Sequence, residues 1–149
     1  MQHGRSKSKE EDPDRPLTDE GRSEVARVAA FFARTAPSEG IPIRHSGKTR
    51  ARETAEALAG TLEAATVEEA DGLAPLDDAA RWAERLDETD EDVMLVGHLP
   101  HLARLTSLLL VGDLAPAVVE FSNAGLVCLQ RNEDGDWALL WSVVPALLG

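Results

Sequence analysis

Histidine and arginine recur in this chain at places where a strand should give way to a helix. One such segment runs His45-Ser46-Gly47-Lys48-Thr49-Arg50-Ala51-Arg52-Glu53-Thr54-Ala55, and a second runs Val96-Gly97-His98-Leu99-Pro100-His101. At the carboxyl ends of strands in open α/β sheets, free backbone N–H groups and the helix dipole point into a shared crevice. An anion is held well there, and arginine beside histidine suggests a phosphate. A third piece, Gln2-His3-Gly4, adds a histidine near the beginning of the chain.

The elements that must position these groups can be read from periodicity and turn chemistry. Arg5 to Pro16 is charged and carries two prolines, which predicts an exposed loop. Thr18 offers an N-cap, Asp19 and Glu20 suit a first turn, and Val25, Val28, Ala29 and Phe32 follow at helical spacing. A turn over Ala36 to Gly40 leads to a short strand, Ile41 to Arg44, ending at His45-Ser46. Ala51, Thr54, Ala55, Leu58, Ala59 and Leu62 share one face of the next helix, which starts near Lys48 and Thr49 and so places Arg50 by a helix N-terminus. A strand over Ala65 to Glu69, a loop over Gly72 to Asp78, and a helix with Ala79, Trp82, Ala83 and Leu86 on its buried stripe come next. Val93 to Val96 reads as a strand, and Leu102, Leu105, Thr106 and Leu109 as the face of a fourth helix. Asn132-Glu133-Asp134-Gly135 is the turn of a hairpin joining Gly125–Gln130 to Trp137–Val144. Strands alternating with helices predict an α/β sandwich whose central sheet is mostly parallel.

Composition narrows the classes of function. The chain has 149 residues, 43% of them hydrophobic, which predicts a single domain over 1–149 with a core that needs no crosslinks. The one cysteine, Cys128, lies in the apolar run Leu126-Val127-Cys128-Leu129 and reads as a buried strand residue, in keeping with a reducing, cytoplasmic setting. No stretch approaches the roughly 20 apolar residues of a membrane span, and the polar start lacks the apolar segment of a secretion signal. A formal net charge of −12 repels nucleic acid and anionic membranes, so neither is expected as a partner. Gly47-Lys48-Thr49 imitates the end of a P-loop, but the glycine needed five residues earlier is Pro42. His98 and His101 stand three residues apart with no carboxylate or cysteine beside them, so no metal site is expected. Trp82, Trp137 and Trp141 fall on apolar faces and read as packing residues, and His45 reads as a strand terminator.

The ordered series Gln2-His3-Gly4, Arg15 to Gly21, Ser46 to Ala55 and Val96 to Pro100 resembles the histidine phosphatase superfamily, in particular its small SixA-type phosphohistidine phosphatase branch. The closing Leu140-Trp141-Ser142-Val143-Val144-Pro145 is similar to that branch as well. The resemblance implies a phosphoglycerate mutase-like, three-layer sandwich and a metal-independent phosphatase that needs no cofactor. It makes His3 the nucleophile that takes the phosphoryl group and passes it to water, with Arg50 and His98 as the other catalytic residues and Gln2, Arg15 and Ser46 binding substrate. The implied substrate is a phosphohistidine-bearing protein; a small phosphorylated molecule is the alternative within the superfamily.

Three departures from the family pattern bear on activity. Gln2 stands where the family has arginine, which keeps a hydrogen-bond donor but loses a full charge. Arg5 stands where an acidic residue is common, and Arg5 or Arg15 could compensate for Gln2. The family's apolar strand ahead of the nucleophile has no counterpart after Met1, which predicts that an upstream segment is missing or, failing that, that His3 sits on a frayed end. With Gln2, this gap motivates a further alternative, a catalytically weak phosphate-binding module. Asp77 and Asp78 are the nearest general-acid candidates, and both read more readily as helix caps. A site with a weak acid suits a phosphoramidate, because imidazole leaves more easily than an alkoxide.

Overall fold

The computed structural model describes residues 1–35, 40–62 and 66–149. Most of the turn expected over Ala36 to Gly40, and Ala65 at the start of an expected strand, lie outside the described residues. Helix α1 spans Asp19–Thr35, and the Thr18 hydroxyl accepts the Gly21 N–H at 3.0 Å, capping the first turn as its sequence predicts. Strand β1 is Ile43–His45, shorter than expected at its start because Pro42 has no N–H to give a ladder; its carbonyl still accepts from Met94. Helix α2 covers Thr49–Thr61, β2 Val67–Glu69, α3 Ala79–Asp87, β3 Met94–Val96 and α4 His101–Val111. Strands β4, Leu126–Arg131, and β5, Trp137–Val143, form the expected antiparallel hairpin, and a 3-10 turn over Pro145–Leu148 follows.

The sheet order is β2-β1-β3, all parallel, with Ile43 opposite both Val67 and Met94. Beside β3 the chain lays Met1–His3. Gln2 bridges Gly97 in parallel, the Met1 nitrogen donates to the Leu95 carbonyl at 2.7 Å, and the His3 N–H donates to the Gly97 carbonyl at 3.1 Å. On its other side, the Gln2 N–H reaches Gly125 and the His3 carbonyl accepts from Ala124, at 3.2 and 3.1 Å. These residues therefore bridge the parallel sheet to the hairpin, and the expectation of a frayed His3 is corrected: both flanks of its backbone are hydrogen-bonded. Next to Met1, the edges of β3 and β4 part around an open groove of about 1050 Å³, lined by Met1, Leu95, Leu105, Leu126 and Trp141 among others.

Side chains alternate across a strand, so Met94 and Val96 face one side of the sheet and Leu95 the other. On the first side they join Val25, Val28, Ala29 and Phe32 of α1 and Ala51, Ala55 and Leu58 of α2. On the second, Leu95 packs against Leu73, Ala79, Trp82 and Ala83 around α3 and Leu105 of α4. A sheet flanked by two pairs of helices is the α/β sandwich expected from the pattern. Cys128 is only half-buried, a correction to its reading as a core residue, because β4 lies next to the groove. Trp82 is buried, whereas Trp137 and Trp141 are half-buried on the hairpin. No helix among the described residues is long and apolar enough to cross a membrane.

Candidate active site

Three chain segments converge at the carboxyl end of the parallel strands. His3 follows its short pairing with β3, Ser46 follows β1, and His98 follows β3 by two residues. Helices α2 and α4 start beside them, and neither has a side-chain cap on its first turn, which leaves N–H groups and the positive dipole end available to an anion. This is the junction expected from the sequence.

Geometry assigns the protons on His3. Its Nδ1 lies 2.7 Å from the Gly4 carbonyl, an oxygen that can only accept, so Nδ1 carries the hydrogen and Nε2 keeps a lone pair. Arg50 donates its Nε–H to that Nε2 at 3.3 Å. The His98 ring is tilted by 54° with its centroid 5.0 Å away, and its Nε2 lies 2.6 Å from the Ser46 hydroxyl. His3, Arg50, His98 and Ser46 are thus one cluster. Asn123 and the Ala124 N–H both donate to the His3 carbonyl, at 3.2 and 3.1 Å, and hold the backbone beneath the imidazole.

Electrostatics keep both imidazoles neutral. Burial, with some help from the Arg50 and Arg15 charges against the opposing Gly4 bond, lowers the His3 pKa to about 4. His98, only 1% exposed, falls to about 3 through burial first and then the charges of His3, Arg50 and Lys48. The Arg50 guanidinium is also lowered, by burial first and then by the charge of Arg15. A neutral imidazole whose unprotonated Nε2 lies among cations has the chemistry to act as a nucleophile toward an anion once the Arg50 N–H turns from it to that anion.

Arg15 belongs to this field. It adopts the uncommon left-handed backbone at φ 50°, its Nε donates to the Lys7 carbonyl at 3.1 Å, and its charge reaches both His3 and Arg50. Arg5 does not belong to it: its Nε pairs with both Glu24 oxygens at 3.1 and 3.2 Å, so it anchors α1 and offers no compensation for Gln2. Gln2 adjoins His3 with its backbone in the sheet and its Oε1 buried without a partner among the described residues. Asp78 caps α3 by accepting the Ala80 N–H, and Asp77 accepts the Ala74 N–H, so both carboxylates serve their own loop. His45 accepts the Gly47 N–H and ends β1. His101 is fully buried at the start of α4, its pKa lowered by burial against the charge of Asp77.

Sequence reasoning missed Lys48, Thr54 and Asn123. From the sequence, Lys48 reads as a helix start and as part of the P-loop imitation Gly47-Lys48-Thr49. Thr54 carried a signal, a hydroxyl in an otherwise apolar stripe, whereas nothing in the chain marks Asn123.

Comparison with known proteins bears on the fold and the family. The protein histidine phosphatase SixA complexed with tungstate superposes with a TM-score of 0.85 at 23% identity, over 100% of this chain and 97% of that one. A protein assigned as phosphohistidine phosphatase SixA of Agrobacterium tumefaciens gives 0.76 at 24% identity, over 97% and 95%. A mycobacterial glucosyl-3-phosphoglycerate phosphatase gives 0.73 at 18%, over 94% and 95%. At such identities these likenesses concern the fold. No curated protein sequence matches the chain. A family model does match, over residues 1–77, and its span takes in His3, the Arg15 turn, Ser46 and Arg50. The chain belongs to the histidine phosphatase superfamily, branch 1.

Proposed function

We propose that this protein is a metal-independent phosphatase that works through a covalent phosphohistidine on His3, with phosphohistidine on another protein as its substrate. The observation that carries the reading is the disposition of His3: Nδ1–H held by the Gly4 carbonyl, and Nε2 unprotonated and accepting the Arg50 Nε–H. In the first step the Arg50 N–H turns from His3 Nε2 to a phosphoryl oxygen, the Nε2 lone pair so released attacks phosphorus, the P–N bond to the substrate imidazole breaks, and the departing nitrogen takes a proton from water. In the second, water attacks the phosphoryl group on His3, releasing inorganic phosphate and a proton and restoring the Nε2 lone pair. Arg50, His98 and Ser46 contact the phosphoryl oxygens, Arg15 adds long-range positive charge, and Gln2 assists as a neutral donor. Asp77 and Asp78 are engaged within their loop, which favours a leaving group that needs little acid assistance, and the imidazole of a phosphoramidate is one.

The test is release of phosphate from a phosphohistidine-bearing protein in the presence of a chelator, beside an aryl phosphate and with His3→Ala and Arg50→Ala as controls. The expected result is protein dephosphorylation that disappears in His3→Ala and falls about 10²–10³-fold in Arg50→Ala, as removal of one transition-state donor does. Faster ester hydrolysis would instead identify a small-molecule phosphatase, and no release from either substrate would leave a phosphate-binding module.

A further inference from the structure

Thr54 belongs to the buried stripe of α2 with Ala51, Ala55 and Leu58, and it is fully shielded from solvent. Valine would fill the same volume there without a polar atom, so the hydroxyl asks for an explanation. Its hydrogen goes to the Arg50 carbonyl at 2.7 Å, and its oxygen accepts the Gly4 N–H at 3.0 Å. The first bond alone is a common helical back-bond that contributes little to a helix. The second spans 50 residues and reaches the peptide that follows the nucleophile.

Followed around, these contacts close on themselves. The Arg50 Nε–H donates to His3 Nε2, His3 Nδ1–H donates to the Gly4 carbonyl, the Gly4 N–H donates to Thr54, and Thr54 donates to the Arg50 carbonyl. We infer that Thr54 is a positioning residue that closes a hydrogen-bonded ring through His3, Gly4 and Arg50, setting the nucleophile's tautomer and its distance from the arginine. Gly4 lies close against α1 and the turn before it: a Cβ there would stand 2.9 Å from Val25 Cγ2 and 3.1 Å from the Gly21 carbonyl. The Gly4 peptide thus sits between α1 and Thr54, with its N–H on Thr54 and its carbonyl on His3 Nδ1. The neighbouring Glu53 accepts the Leu17 N–H at 2.8 Å and pairs with Arg22 at 3.1 Å, so adjacent residues of α2 tie down both segments that approach the site.

The kinetic consequence rests on the proposed phosphatase reading, but the geometric one does not, and the test separates them. In wild-type protein, ¹⁵N NMR should show His3 as the Nδ1–H tautomer at pH 7, with a Gly4 amide protected from exchange. In Thr54→Val, Gly4 exchange should rise about tenfold or more and His3 should populate both tautomers; with phosphohistidine protein, kcat should fall about tenfold while KM stays within about twofold. Thr54→Ser, which keeps the hydroxyl, should return each readout toward wild type. A wild-type Gly4 amide without protection overturns the inference even if Thr54→Val does not fold. So does a Thr54→Val protein with unchanged tautomer and exchange, or a Thr54→Ser protein no better than Thr54→Val, since only packing would then matter. If no substrate is turned over, the phosphatase reading fails while the NMR result still decides the ring.

Discussion

At Gln2 a neutral amide adjoins His3, the proposed nucleophile, in a site that also holds the cations Arg50, Arg15 and Lys48. A phosphoryl group gathers negative charge as it transfers, and a missing charged donor at such a place costs on the order of 3 kcal/mol. The Gln2 backbone is held by Gly97 and Gly125, so a substitution there changes the side chain and leaves the strand pairing in place. Its Oε1 is buried without a partner among the described residues, an acceptor of no use to an anion. Gln2→Arg is therefore expected to raise kcat/KM by about 10- to 100-fold, measured on the phosphohistidine protein. An unchanged or lower value would mean that the Gln2 side chain does not act on the phosphoryl group.

Asp78 sits at the boundary between the loop over Gly72 to Asp78 and α3, where its two readings separate cleanly. As the cap of α3 it holds the Ala80 N–H at 3.0 Å. Asp78→Ala is expected to lose about 1 kcal/mol of stability, the usual worth of such a cap, with kcat unchanged. A large fall in kcat at unchanged stability would restore the carboxylate as a general acid. The helices α1 to α4 were legible because apolar spacing and capping residues are local properties of the chain. The strands were less so. β1, β2 and β3 have three residues each, and their limits depend on neighbours: Pro42 cannot donate, and β1 ends where the His45 side chain turns back to Gly47.

Across the whole molecule, all four histidines have pKa values below the ordinary value of 6.5, each chiefly through burial, with His3 at about 4 and His98 at about 3. The unfolded chain takes up these protons near 6.5 while the folded chain does not, so the unfolded state binds more protons between those limits. Stability is therefore level above about pH 7 with respect to these groups and declines as the pH falls from 6.5 toward 4. Urea unfolding should show a lower midpoint at pH 5 than at pH 7.5, and His98→Gln should make that difference smaller. Equal midpoints would show that the imidazoles are less buried than their packing indicates.

What the sequence by itself determined is local or periodic: the amphipathic helices, the hairpin turn at Asn132–Gly135, and the order of the segments that carry His3, Ser46, Arg50 and His98. Those segments mark the family because each needs only a strand end, a helix start and one or two side chains. Tertiary structure alone decided their meeting. His3 and Arg50 are 47 residues apart and touch only because Met1–His3 lies against β3 and α2 packs on α1. Packing also sent Arg5 to Glu24, left Cys128 half-buried beside the groove, and aimed the Thr54 hydroxyl at Gly4. Such contacts join residues far apart in the chain, and no spacing along it encodes which buried donor will find which acceptor.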